Sequence, residues 1–230
     1  EPLCNIFGVC GGCHLQFIEY QKQVMMKEEI LCDTMRRIAS MNVELLPSVT
    51  GREFGYRQRG QFKVSHKGDL GFYRGGTRDV VPVEHCPVMA DEINDVLKGL
   101  KRSDLRGVKE LHITSGDSKT VLIKGRAAED LSERLFDAGV SGTAFENRES
   151  VGKDYVTLDL NGLKYSITPW SFFQSNWALN TKMVDDVINR LMPLDGKRVL
   201  DLYAGAGNFS IPVSVLAKEV VAVEENNDAV

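Results

Sequence analysis

No stretch of this sequence is apolar for long enough to cross a bilayer, and no apolar signal segment stands near its start. Neither a membrane-embedded nor a secreted protein is therefore expected, and the chain reads as cytoplasmic. The cysteine count is five, an odd number, which argues against a framework of disulfides. There is no low-complexity tract and no internal repeat, so disordered and solenoid architectures are unattractive. Strong net charge is missing too: a formal −4 is unlike a protein that coats nucleic acid with its whole surface. With 43% hydrophobic and 26% charged residues over 230 positions, the chain has the material for one large or two smaller cores.

The cysteines that are present are concentrated. "CNIFGVCGGCHLQ" places Cys4, Cys10 and Cys13 at C-x5-C-x2-C, and Cys86 follows in "EHCPVM". In a reducing compartment clustered thiols are metal ligands or redox groups more often than bridges. Four thiolates satisfy either a cubane iron–sulfur cluster or a structural zinc ion, and the distant fourth ligand followed by proline resembles ferredoxin-type ligation. Spacing leaves cluster and zinc both open. The C-x3-C-x2-C of radical S-adenosylmethionine enzymes is absent. Cys32 falls in a helical stretch and reads as a small buried residue. His14 and His85 flank ligands and read as bystanders.

Charge is uneven. Residues 51–80 hold seven Lys or Arg (52, 57, 59, 63, 67, 74, 78) against three acids (53, 69, 79), interleaved with Phe54, Tyr56, Phe62, Phe72 and Tyr73. Cations for phosphates alternating with rings for bases is the composition of single-stranded RNA binders. A solvated hairpin with its rings turned into a core has the same composition.

Periodicity predicts a helix from Gln16 to about Met41, with Phe17, Tyr20, Val24, Leu31, Met35 and Ile38 as one apolar stripe. Strands are predicted at "YRQRGQFKVSH", "GDLGFYR", "VKELHITSG", "KTVLIKG" and "GTAFEN", with helices near 88–101 and 127–138. "DYVTLDL" and "LKYSIT" meet at the Asn161–Gly162 turn. A helix over 176–192 then leads to strand, Gly-rich turn, helix and strand, one βαβ unit. The fold class is α/β and α+β: a mixed α+β domain with an antiparallel sheet over 1–167, then the start of a Rossmann-like domain over 168–230.

"VLDLYAGAGNFS" has the form of a nucleotide-cofactor turn. A G-x-G at the end of a strand lets the backbone approach a ligand, and Glu224, nineteen positions after Gly205, can grip ribose hydroxyls from the next strand. A dinucleotide site wants a third Gly, and Ser210 stands there. That departure favours a cofactor without pyrophosphate, such as S-adenosylmethionine, over a dinucleotide or a ligand-free turn. Asp201 is placed to serve the cofactor's amino-acid end or to orient the turn.

Taken together, "CNIFGVCGGCHLQ" with Tyr20 and Gln23, "YRQRGQFKV", "HCPVM", "FFQSN" and "DLYAGAGNFS…VVAVE" resemble the RNA uracil-5-methyltransferases, in their cluster-bearing branch that includes 23S rRNA enzymes. The resemblance implies a [4Fe–4S] cluster on Cys4, Cys10, Cys13 and Cys86. It implies S-adenosyl-L-methionine on Gln174, Tyr203, Asn208 and Glu224, with Tyr203 where relatives often have Phe. It implies an RNA partner, ribosomal rather than transfer RNA, and a monomer. In the family a Cys thiolate adds to uracil C6, C5 takes the methyl group and a base removes the C5 proton. That Cys and that base lie well downstream of the cofactor loop in the family, which implies sequence beyond Val230 and no catalytic residue here. The chain is accordingly expected to be an inactive fragment, with an N-terminal portion also missing. The alternatives are a non-enzymatic zinc-stabilised RNA-binding module and a dinucleotide-dependent iron–sulfur oxidoreductase.

Overall fold

The computed structural model describes residues 1–101 and 103–228. The chain begins as a loop of tight turns carrying three of the cysteines and then enters helix α1, Tyr20–Ala39. Twenty residues without Gly or Pro and rich in unbranched side chains suit a helix. Ser40 ends it in the left-handed conformation, φ 53°, its N–H closing on the Met35 carbonyl. The helix starts four residues later than its periodicity predicts, because Gln16 is drawn into the cysteine loop, where its side chain accepts from the Cys4 N–H at 3.3 Å. The predicted apolar stripe does not become core: α1 buries none of its residues, and Ile38 is 82% exposed. Spacing makes a face, but only another packed element makes that face an interior.

Strands β1 (Arg59–Val64), β2 (Leu70–Tyr73) and β3 (Val80–Pro82) precede helix α2 (Asp91–Leu100). Then come β4 (Val108–Ser115), β5 (Lys119–Gly125), helix α3 (Leu131–Asp137), β6 (Gly142–Phe145) and β7 (Ser150–Gly152). They form one sheet in the order β3-β2-β1-β4-β5-β6-β7. The expected antiparallel pairing holds at every pair except β5–β6, which is parallel. A parallel pair needs a crossover, and α3 supplies it. The short edge strands β3 and β7 escape sequence reading because three residues show no alternation. Phe62, Ile93, Leu111, Ile113, Ile123 and Leu135 lie in the core between sheet and helices. Helices α2 and α3 touch at Gly99, where a Cβ would lie 2.5 Å from that of Ala138. Of the rings in the basic segment, Phe62 is fully buried with Phe72 against it at 4.8 Å between centroids. Tyr73 stays exposed, with the Lys63 ammonium 5.6 Å from its ring centroid.

Hairpin β8 (Val156–Leu160) and β9 (Leu163–Ile167) turns at Asn161 and Gly162, both with positive φ, 52° and 87°. That geometry matches the twist of the flanking strands and explains the Asn-Gly pair. Its alternate residues Val156, Leu158, Leu160, Tyr165 and Ile167 build a second core with Phe173, Trp177 and Val184. Helix α4 (Trp177–Leu191) is capped by Asn176, whose side chain accepts from the Leu179 N–H at 3.1 Å. Strand β10 (Arg198–Leu202), helix α5 (Ser210–Ser214) and strand β11 (Glu219–Val223) close the chain as a parallel βαβ unit. No helix among the described residues is long and apolar enough to cross a membrane.

Candidate functional site

The cysteine loop is folded by its own main chain and docked on the sheet. Phe7 donates to the Cys4 carbonyl at 3.1 Å and Cys10 to that of Ile6 at 3.0 Å, while Gly11 donates to Tyr73 at the end of β2 at 2.9 Å. A Cβ on Gly11 would lie 2.9 Å from that carbonyl oxygen and 3.1 Å from the Gly75 backbone, so only glycine sits there without displacing main chain. Cys86 is positioned from the other side by Asn94 of α2, which is buried. Its amide accepts from the Cys86 N–H at 2.8 Å and donates to the Cys86 carbonyl at 3.2 Å. Asn94 thereby holds the backbone of Cys86 at its N–H and carbonyl, a part that the sequence pattern does not reveal.

Cys4, Cys10, Cys13 and Cys86 line a single cavity of about 680 Å³, and every cysteine is a free thiol. Burial pushes the Cys10 and Cys86 thiols up, and charge on Cys4 and Cys13 adds to the rise. As the side chains stand, no group of three or more His, Cys, Asp or Glu among the described residues is placed to hold a metal ion. Cys32 lies on α1 and outside this cavity. His85 lines it, and His14 lines a neighbouring one.

The same cavity is lined by the cations Arg57, Arg59 and Lys124, by His112, and by the rings of Trp170 and Phe172. Arg59 is the hub. Its guanidinium donates to Thr114 Oγ1 at 2.8 Å, to the carbonyls of Thr168 and Ser171, and lies 4.6 Å over the Phe173 ring. Burial lowers its pKa to about 10, so it stays charged at neutral pH. All its partners are neutral. Arg57 is tied by its backbone to Val88 and Ala90, and its Nε is buried without a partner. Next to them, burial opposes ionisation of Glu110, but hydrogen bonds from Lys63 and His112 and the charge of Lys124 bring its pKa down to about 2. Burial lowers the pKa of His112. Within the basic segment the sequence pointed to Arg57 and Arg59 only as part of a charge excess. His112 and Trp170 carried no signal beyond their strand and loop positions.

The Gly-rich turn after β10 is a separate construction. Ser210 Oγ donates to Asp201 Oδ2 at 2.5 Å, so the position a dinucleotide loop gives to glycine here closes the turn back on its strand. Asp201 therefore orients the turn. Glu224 accepts from the Gly205 N–H at 2.7 Å and from Asn226 at 2.8 Å, and these backbone donors lower its pKa. Asn208 and Asn180 of α4 exchange two amide hydrogen bonds, 2.7 and 3.0 Å, pinning the loop to the helix. Tyr203 takes φ 61° and is 88% exposed. Gln174 is exposed just before α4. Neither cavity is lined by Gln174, Tyr203, Asn208 or Glu224.

Residues 122–230 match the family model described as tRNA (Uracil-5-)-methyltransferase. Over 97% of its length the chain is 32% identical to the 23S rRNA (uracil(1939)-C(5))-methyltransferase RlmD of Vibrio parahaemolyticus, and it covers 56% of that protein. The protein of the same description from Pseudomonas savastanoi is 31% identical over 97% of the chain, which covers 54% of it. The chain thus spans about half the length of these curated relatives. Among solved structures, the Pyrococcus abyssi tRNA (uracil-54, C5)-methyltransferase in complex with S-adenosyl-L-homocysteine shares the fold. Its TM-score is 0.75 at 21% identity, over 96% of this chain and 59% of that one.

Proposed function

We propose that the chain belongs to the RNA uracil-5-methyltransferase family, on the family match and the relatives above. It carries the methyl-donor loop and the cysteine-lined, RNA-facing part of an enzyme that moves a methyl group from S-adenosyl-L-methionine to C5 of a uridine in RNA. The description of both relatives as 23S rRNA enzymes supports ribosomal rather than transfer RNA as substrate. The observation that carries the reading is the turn in which Glu224 holds Gly205 while Ser210 occupies the third-glycine position. Such a turn suits an adenosine without pyrophosphate. Gln174, Tyr203, Asn208 and Glu224 are the residues that would hold the donor, with Glu224 accepting from ribose hydroxyls on its free lone pairs. Bound there, the donor supplies an electrophilic sulfonium methyl.

Cys4, Cys10, Cys13 and Cys86 are proposed to hold a [4Fe–4S] cluster. Four free thiols on one cavity wall support this. The cluster's role would be to tie the first loop to Cys86. No cysteine occurs among residues 168–230, so the chain by itself is proposed to bind the donor without methylating RNA. Residues 1–167 and 168–230 are proposed as its two units, with the β8–β9 hairpin at the end of the first packing in the second core. A cytoplasmic monomer completes the reading.

The test is iron, acid-labile sulfide and zinc content of the anaerobically purified chain, followed by titration with S-adenosyl-L-homocysteine and with a nicotinamide dinucleotide. Equal iron and sulfide with binding of the homocysteine alone is expected. One zinc without sulfide and no binding of S-adenosyl-L-homocysteine would replace the reading with a zinc-stabilised RNA-binding module.

A further inference from the structure

A second cavity, of about 370 Å³, is used neither by the donor loop nor for holding Cys86. It shares Gly12, Cys13, Gln16 and Val88 with the first, so the two adjoin across the end of the cysteine loop. Its outer wall carries Lys27 of α1, Arg52, and the half-buried rings of Phe54 and Tyr56. Lys22, Arg36 and Arg37 of the same helix each pair with an acid one turn or less away. Glu53 also lines the cavity, but Lys27 and Arg52 are exposed and, among the described residues, neither makes an ion pair with it or with another carboxylate. Unpaired cations beside ring faces, in a recess near the lower size limit of ligand pockets, suit one nucleotide of a flexible strand.

We propose that the second cavity receives one nucleotide of the substrate RNA. Its phosphate meets Lys27 and Arg52, and Phe54 and Tyr56 stack its base. This rests on the RNA reading above. It assigns a subsite to residues of "GREFGY", which lie outside the donor-binding and cysteine motifs.

The test is fluorescence anisotropy of a labelled, uridine-containing single-stranded RNA with the whole chain over a salt series. Lys27→Ala with Arg52→Ala is expected to weaken binding about tenfold at low salt and to flatten the log–log salt slope by about 0.7, for the one phosphate no longer neutralised. Phe54→Ala is expected to weaken binding with the slope unchanged, as loss of stacking requires. Lys197→Ala with Lys218→Ala removes the same charge from exposed positions beside β10 and β11 and is expected to bind as the parent does. If the Lys27/Arg52 variant matches this control while the parent binds RNA, the subsite is wrong and the RNA reading stands. If the parent does not bind RNA, both fall.

Discussion

Glu224 reaches back nineteen residues to the main-chain N–H of Gly205, its Oε2 2.7 Å away, so the end of one strand holds open the turn that follows another. Two backbone donors keep the carboxylate ionised below the ordinary range of a glutamate. A depressed folded-state value means that the tie is complete above the unfolded pKa and is lost as pH falls through the folded one. Affinity for S-adenosyl-L-homocysteine is therefore expected to be flat near neutrality and to decline only in acid. Glu224→Gln, which keeps shape but weakens both acceptors, should lower that affinity roughly tenfold by calorimetry, as loss of charge-assisted hydrogen bonds does.

Asn94 is buried and satisfies the N–H and carbonyl of Cys86 together. Asn94→Ala leaves the Cys86 N–H unpaired and its carbonyl with the Met89 N–H alone, at a cost of about 1–2 kcal/mol in urea unfolding. Iron per chain should fall with it, because the fourth thiol is no longer aimed. Unchanged iron would mean that the Cys86 loop is positioned by something else.

Gly11 and Gly12 are adjacent but not equivalent. A Cβ at Gly11 meets main chain at 2.9 and 3.1 Å, whereas one at Gly12 meets only Cys10 Sγ at 3.5 Å. Gly11→Ala is expected to undock the loop and speed its proteolysis by an order of magnitude, with Gly12→Ala near the parent. Limited proteolysis followed by mass spectrometry reads the difference.

Arg59 joins β1 to the segment leading into α4 through Thr168 and Ser171. Arg59→Ala strips donors from buried carbonyls and should cost about 2–3 kcal/mol. Arg59→Lys should recover little of it, since a single ammonium cannot serve three divergent acceptors and a ring face. Urea denaturation of both variants checks this.

How far the sequence reached differs from element to element. The Asn161–Gly162 hairpin and the helix α4 were legible because their signals are local, Asn-Gly for the positive-φ turn and periodicity for the helix. The stripe on α1 was legible as spacing, but its burial was not. Whether Ile38 is buried depends on what stands opposite, and a helical period says nothing of that. Rings in the basic segment divided for the same reason, Phe62 going inward and Tyr73 staying out.

By itself the sequence determined the chemistry that can be written as residue type and interval: four thiols, a glycine turn lacking its third glycine, an acid nineteen residues on, and the family these spell. Tertiary structure alone decided what those groups meet. It brought Cys86 to the cavity that Cys4, Cys10 and Cys13 line, held it with Asn94, and set Arg57 and Arg59 on the same cavity. It also turned Glu224 onto a backbone donor and Ser210 onto Asp201. The physical reason is that local conformation is set by neighbours in the chain. Burial, charge pairing and cavity walls are set by residues far apart in sequence, brought together only when the sheet and its helices pack.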